Sequence, residues 1–332
     1  MKRIASFFIV CMLFAVSLAA QDKESLRNYE SRIMAQMELV YGASTDDERL
    51  HASEAASHLF EEALALENSF KWKWNLGDKA SVLTSPDKRF RIITWPVVRN
   101  NGEWKCFGFV QSYDDEEEEY VVYALHDKSD EIIGREESVL GPSQWLGSVY
   151  QELIQTSYEG QNFYTLLGWC GVDNLTQRKV VEPVYFKKDS SQPIFGQPIF
   201  RRQRNMRRMV LQYTNTAMVN LRYEVQYTRT VTTTRVKKKG SKRPVVVKEN
   251  HDTREKMIIF DEVAPRLPGM EGLYHYYVPT GKEMALVFVD GKWELRDNAQ
   301  GRVPDNRLNK AFEPLSKDIP EYKYIDQSEL PN

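Results

Sequence analysis

Two basic runs hold the most concentrated chemistry in the chain. RRQRNMRR (201–208) places Arg201, Arg202, Arg204, Arg207 and Arg208 close together. VTTTRVKKKGSKRPVVVKEN (231–250) adds Arg235, Lys237, Lys238, Lys239, Lys242 and Arg243. From Arg201 to Lys256 sixteen Lys or Arg side chains stand against four acids. Such clusters meet polyanions or acidic faces of other proteins. Nucleic acid is not the expected target, because no aromatic stacking platform interleaves with the charges. Anionic lipid headgroups, acidic glycans and an acidic face on an envelope protein remain. The competing reading is a solvated hairpin tip, where Lys and Arg keep exposed strand edges from pairing.

Other candidates are thinner. YDDEEEEY (113–120) sets six acids between two tyrosines, without the spacing or turn glycine of a calcium loop, and reads as a hairpin turn. His51 and His58 are seven apart, too far for ordinary joint ligation, and there is no HExxH, so neither metal nor cofactor is expected. Cys106 and Cys170 lie in strand-like segments, with no CxxC. Buried free thiols, a disulfide and a reactive nucleophile all stay open for them, in that order. GWCGVD around Cys170, with His126 or His275 as base, is the one sketch of nucleophilic catalysis. Its flanking Gly168 and Gly171 read instead as a structural bend. Tyr274, His275, Tyr276 and Tyr277 could stack on a sugar face, or serve as strand-edge residues.

These side chains must be held by elements, and hydrophobic period names them. Leu26, Ile33, Met37 and Val40 fall near helical spacing. After GASTDDERL, Ser44 or Thr45 caps a second helix, with Asp46, Asp47 and Glu48 at its positive end. The pattern turns to period two at FKWKWNL (70–76), which predicts a strand there. Further strands are expected at 88–95, 103–111, 119–125, 162–169, 209–213, 256–260 and 284–289. SPDK, NNGE and VDGK supply turns, and 143–155 is expected to hold a short helix. The fold expected is mainly β: an antiparallel sheet, sandwich or barrel-like body over about 70–297, behind a helical segment at 21–69. A long basic hairpin spans 221–260, and a Pro-rich irregular tail covers 298–332.

The first twenty residues, MKRIASFFIVCMLFAVSLAA, carry Lys2 and Arg3, an uncharged apolar run, then Ala19 and Ala20. That is signal-peptide anatomy, with cleavage expected before Gln21 and a periplasmic or otherwise exported product. No later stretch is apolar enough for a transmembrane helix. Without Lys2 and Arg3, 43 basic residues face 47 acidic ones, so the basic segment is a local feature of an acidic chain.

FYTLLGWCGVDNLTQRKVVEPVYF (163–186), IFGQPIF (194–200), MIIFDEVAP (257–265) and FVDGKW (288–293) resemble a group of exported β-rich proteins of Bacteroidota. The resemblance implies an envelope location in a Gram-negative bacterium and carries no catalytic residues. Members of the group tend to have an acid where this chain has Cys170, which argues against a cysteine nucleophile. The function expected is a non-enzymatic binding or assembly component of the cell envelope. The alternatives are a hydrolase of envelope glycans or peptides, or a carbohydrate-binding module.

Overall fold

A computed structural model of the chain describes residues 23–236, 245–296 and 303–304, with side chains described for 23–226 and 254–296. The expected signal peptide, Lys237–Arg243 at the hairpin tip and nearly all of the tail lie outside those residues, as does the side chain of Arg235. The chain falls into two compact units, one within 1–223 and 257–300, the other within 224–256 and 301–332.

Two helices open the first unit, α1 (23–42) and α2 (Asp46–Leu64). Leu26, Ile33, Met37 and Val40 form the fully buried face of α1. Thr45 caps α2 through a reciprocal box in which Thr45 Oγ1 accepts from the Glu48 amide and the Glu48 carboxylate accepts from the Thr45 amide.

Fourteen strands follow among the described residues: β1 (Ser81–Thr84), β2 (Phe90–Val98), β3 (Trp104–Asp114), β4 (Glu119–His126), β5 (Val149–Tyr158), β6 (Gln161–Gly171), β7 (Thr176–Phe186), β8 (Pro193–Phe195), β9 (Met209–Thr214), β10 (Leu221–Val236), β11 (Val245–Pro265), β12 (Tyr277–Val289), β13 (Lys292–Arg296) and β14 (Val303–Pro304). They make three antiparallel sheets: β1–β2–β3–β4; β5–β6–β7–β8 with β9 also on β7; and β13–β12–β11–β10–β14. The mainly β, sandwich-like body with N-terminal helices is thereby established, and the described strands close no barrel. β10 and β11 run from the first unit into the second, where Gln226 and Tyr227 pair with Pro304 and Val303.

Within the first unit the period-two rule assigns each strand face to a different core. On β2, Ile93, Trp95 and Val97 face the helices, where Trp95 stacks on Phe60 at 5.2 Å. Phe90 and Ile92 face the second sheet, in a core shared with Leu166, Val180 and Val184. On β6, Tyr164, Leu166 and Cys170 join that core, while Phe163 and Leu167 turn to a third core with Ile258, Phe260 and Leu286. A strand covered on both faces loses its polar alternation, which is why β2 is apolar almost throughout.

Two expectations fail. Residues 70–76 form no strand; a 3₁₀ turn at Ser69–Lys71 leads into irregular chain. The alternation still records one inward side, with Leu76 buried and the lysines exposed. The backbone carbonyls, however, are claimed by a side chain: the Arg91 guanidinium donates to the carbonyls of Ser69, Phe70 and Trp72. The short helix expected at 143–155 is absent as well. Pro142–Gln144 is a single 3₁₀ turn, and β5 begins at Val149 after a short irregular stretch.

No helix of the described residues is long and apolar enough to cross a membrane.

Candidate partner-binding surface

The run RRQRNMRR forms the connection between Phe200 and β9, and local contacts fix both of its ends. At the start, the Trp293 amide donates to the Ile199 carbonyl at 2.6 Å and the Arg201 amide donates to the Trp293 carbonyl at 2.8 Å. The loop thus covers the free edge of β13, the usual protection for an edge strand. At the end, the amides of Arg207 and Arg208 donate to the Glu136 carbonyl at 2.7 and 3.2 Å.

Between these anchors the five arginines separate. Arg208 has no solvent exposure. Its Nε meets Glu182 Oε1 at 2.5 Å, its Nη1 donates to the carbonyls of Arg135 and Ser138, and its Nη2 donates to that of Phe195 at 3.1 Å. Glu182 Oε2 accepts from Tyr150 Oη at 2.6 Å, and Tyr150 Oη accepts from Trp145 Nε1 at 2.9 Å. Burial, and then the Glu182 charge, push the Tyr150 phenol well up, so it stays a neutral donor. Arg208 therefore leaves the candidate contact surface, because a guanidinium sealed by this network cannot meet a partner. Gly196 makes room for it: at φ +93° its backbone is left-handed, and a Cβ there would stand 2.8 Å from Arg208 Nη2.

Arg201 is half-committed. It donates to Asp290 at 3.0 Å and stands 3.3 Å from Glu294, an ion pair without hydrogen-bond geometry. Arg202 and Arg204 are exposed and make no ion pair among the described residues. Arg207 is half-buried and donates to the Arg204 carbonyl at 3.0 Å. Of the first basic run, Arg202 and Arg204 are the exposed side chains, and Arg207 is the half-buried one with no carboxylate partner among the described residues.

A feature that charge counting missed lies beneath them. An apolar crevice of about 200 Å³ is lined by Phe200, Met206, Met209, Phe260, Met284 and Leu295, with Gln203 and Glu262 at its polar margin. Leu295 is 41 % exposed at its mouth. On the other side of the loop an open polar bowl of about 550 Å³ is bounded by Glu136, Glu137, Arg202, Arg204 and Asn205. Gln203 and Met206 border both spaces, so the loop is a ridge with an apolar hole at one flank and, at the other, a bowl whose wall holds Arg202 and Arg204 with Glu136 and Glu137. The signal was present in the sequence: Met206 and Met209 sit inside and just past the basic run. Methionine adapts its shape, which suits a surface that receives an apolar side chain.

The catalytic sketch gains no geometry. A cavity of about 490 Å³ touches Cys106, His126, Asp127, Gly171 and Arg178. Cys170 is not in its wall; the Cys170 thiol donates to the Gly171 carbonyl and lies 3.1 Å from Cys106 Sγ. No histidine hydrogen-bonds either thiol among the described residues. Burial pushes the Cys106 thiol well up, the opposite of an activated nucleophile. The bulge of this sheet lies on β5 between Tyr150 and Glu152, whose partners are Gly168 and Leu167, so one of the two flanking glycines does stand opposite it. Both also make space, since a Cβ on Gly171 would stand 2.3 Å from the Trp104 indole and one on Gly168 2.8 Å from the Tyr150 ring.

His51 and His58 are exposed on α2, and no metal-holding cluster occurs among the described residues. Asp114–Glu119 closes the β3–β4 hairpin; Asp114 accepts from Ser191 Oγ at 2.5 Å and Asp115 pairs with Arg89 at 2.7 Å. The rings of Tyr274 and Tyr277 meet at 50°, and those of His275 and Tyr276 at 46°, so they offer no flat platform for a sugar.

Comparison with protein-family models, curated proteins and solved structures finds no match.

Proposed function

We propose that the protein is a non-enzymatic binding or assembly component of the bacterial cell envelope, and that it grips a partner through the 201–207 ridge. The observation that carries this reading is the apolar crevice lined by Gln203 and Met206 of the same loop that carries the exposed Arg202 and Arg204. Exposed cations on the loop that also borders an apolar hole suit a protein segment that presents carboxylates next to one large apolar side chain. The anchor fills the crevice, and the charges orient it and raise the encounter rate. Arg235, Lys237, Lys238, Lys239, Lys242 and Arg243 belong to the same proposal by charge alone. The signal-peptide anatomy of residues 1–20 and the resemblance to exported Bacteroidota proteins support the envelope location.

The test is a tagged pull-down after crosslinking in the cell, comparing wild type with Arg202→Glu/Arg204→Glu/Arg207→Glu and, separately, with Met206→Asp. The expected result is one stoichiometric protein partner that both variants lose while keeping the wild-type melting temperature. Retention of that partner by both folded variants overturns the ridge as the contact. Capture of anionic vesicles by wild type in place of any protein would make the partner a lipid surface and overturn the protein-segment reading.

A further inference from the structure

We propose that Cys106 and Cys170 are the two halves of an inter-sheet disulfide, a covalent clamp between the first and second sheets of the body. Cys106 points inward from β3 and Cys170 from β6, strands of different sheets, and both are buried in the same core. Their sulfurs lie 3.1 Å apart, closer than two sulfurs rest when merely packed. A bond of about 2.0 Å then needs the two sulfurs to close by only about 1 Å.

The backbone on each side is already held in place. The Cys106 amide donates to Asp127 Oδ2 at 2.8 Å. The Trp104 amide donates to the Val172 carbonyl at 3.4 Å, a direct tie between the two sheets. The Trp104 and Trp169 rings meet edge to face at 5.0 Å, and Gly171 leaves the space that the Trp104 indole fills. The two strands are thus tied together within two residues of each cysteine. The residues are 64 apart in sequence, so the bond closes a long loop and removes much of the unfolded chain's freedom.

The chemistry is thiol–disulfide exchange with a protein disulfide oxidant of an oxidising compartment. One cysteine thiolate attacks the oxidant's disulfide, forming a mixed disulfide and releasing one oxidant thiol. The second cysteine attacks its partner's sulfur and releases the other. Two S–H bonds and the oxidant's S–S bond break, and one S–S bond forms in this chain. The hydrogens end on the oxidant, which is reduced by two electrons. Burial disfavours the Cys106 thiolate in the folded body, so the bond forms as the sheets close and is then shielded from reductants. It is a structural bond and not a switch. The oxidising compartment rests on the envelope location proposed above; the geometry of the pair does not.

The experiment takes the full chain from cells into acid, unfolds it, and treats it with maleimide before and after reduction, with N-terminal sequencing alongside. A chain beginning at Gln21 is expected to take up no maleimide before reduction and two per molecule after it. Two free thiols on that processed chain would overturn the proposal. A chain still beginning at Met1 would refute the export reading and leave the pair to a second arm. There, protein expressed as 21–332 is refolded in mixed oxidised and reduced glutathione. Formation of one intramolecular disulfide, with a higher melting temperature than the reduced form, supports the pair. Free thiols at every glutathione ratio overturn it. Cys106→Ser and Cys170→Ser are each expected to expose one reactive thiol and to lose the melting response to reductant.

Discussion

Arg208 donates to one carboxylate and three backbone carbonyls with no contact with solvent, while Arg204, in the same run of the chain, stands exposed with no ion pair among the described residues. Both are arginines in one short loop, and charge counting treats them alike. The difference lies in what surrounds each. Arg208 stands where the carbonyls of Arg135 and Ser138 come from irregular chain, and it adds a second donor to the Phe195 carbonyl, which also accepts from the Leu140 amide. Its charge is committed to the fold. Arg204 has water around it and an apolar crevice nearby, so its charge is available to a partner. Arg91 repeats the first case at the helix-to-sheet junction, where its guanidinium replaces a missing strand partner. Arg208 and Arg91 hold irregular chain in place, whereas Arg202 and Arg204 make no ion pair among the described residues that would prevent contact.

The largest effect is expected at the buried end of that contrast. Arg208→Ala strands the Glu182 charge in the core and is expected to cost about 3–5 kcal/mol in denaturant unfolding. Arg208→Met with Glu182→Leu removes both charges and should recover part of the loss, although Tyr150 then lacks its acceptor. A loss of partner binding in Arg208→Ala with unchanged stability would break the contrast outright.

An intermediate effect belongs to Asp87, an exposed carboxylate held by several hydrogen-bond donors. Partial desolvation raises its pKa, but hydrogen bonds from Tyr164 Oη (2.5 Å), Ser85, the Arg89 amide (3.1 Å) and Asn162 (2.8 Å) outweigh that and hold it below the usual range. A carboxyl with a depressed folded pKa adds stability above its unfolded value of about 3.9, and that stability is lost as pH falls through the lower folded value. Tyr164→Phe removes one donor and raises the folded pKa toward the unfolded one. The Asp87 contribution at neutral pH therefore shrinks, and the acid-side slope of stability flattens. Unfolding midpoints of wild type and variant across the acid limb measure this, and parallel curves would show that the bond carries no linkage.

The smallest stability effect is expected at the exposed end. Arg204→Glu should change unfolding free energy by no more than about 0.5 kcal/mol, as for surface substitutions generally, while weakening partner capture. A large loss of stability there would erase the distinction from Arg208.

Local signals were legible in the sequence because they need only neighbouring residues. The Thr45–Glu48 box, the buried stripe of α1, the strands at 88–95, 103–111, 119–125 and 162–169 and the VDGK turn follow from period, caps and turn chemistry. The 70–76 segment shows where period stops short. Alternation records which side faces inward, but a strand also needs a partner ladder, and here Arg91 takes the carbonyls.

By itself the sequence determined that the described chain is helical up to about residue 64 and mainly β thereafter, and that positive charge concentrates after residue 200. Only the tertiary structure decided that Arg208 is core and Arg204 surface, that Gly171 makes room for Trp104, that Met206 borders an apolar crevice, and that Cys106 faces Cys170. Each of these depends on which atoms come together from positions tens of residues apart. Such meetings are set by sheet pairing and layer packing, which a linear pattern of residue types does not encode.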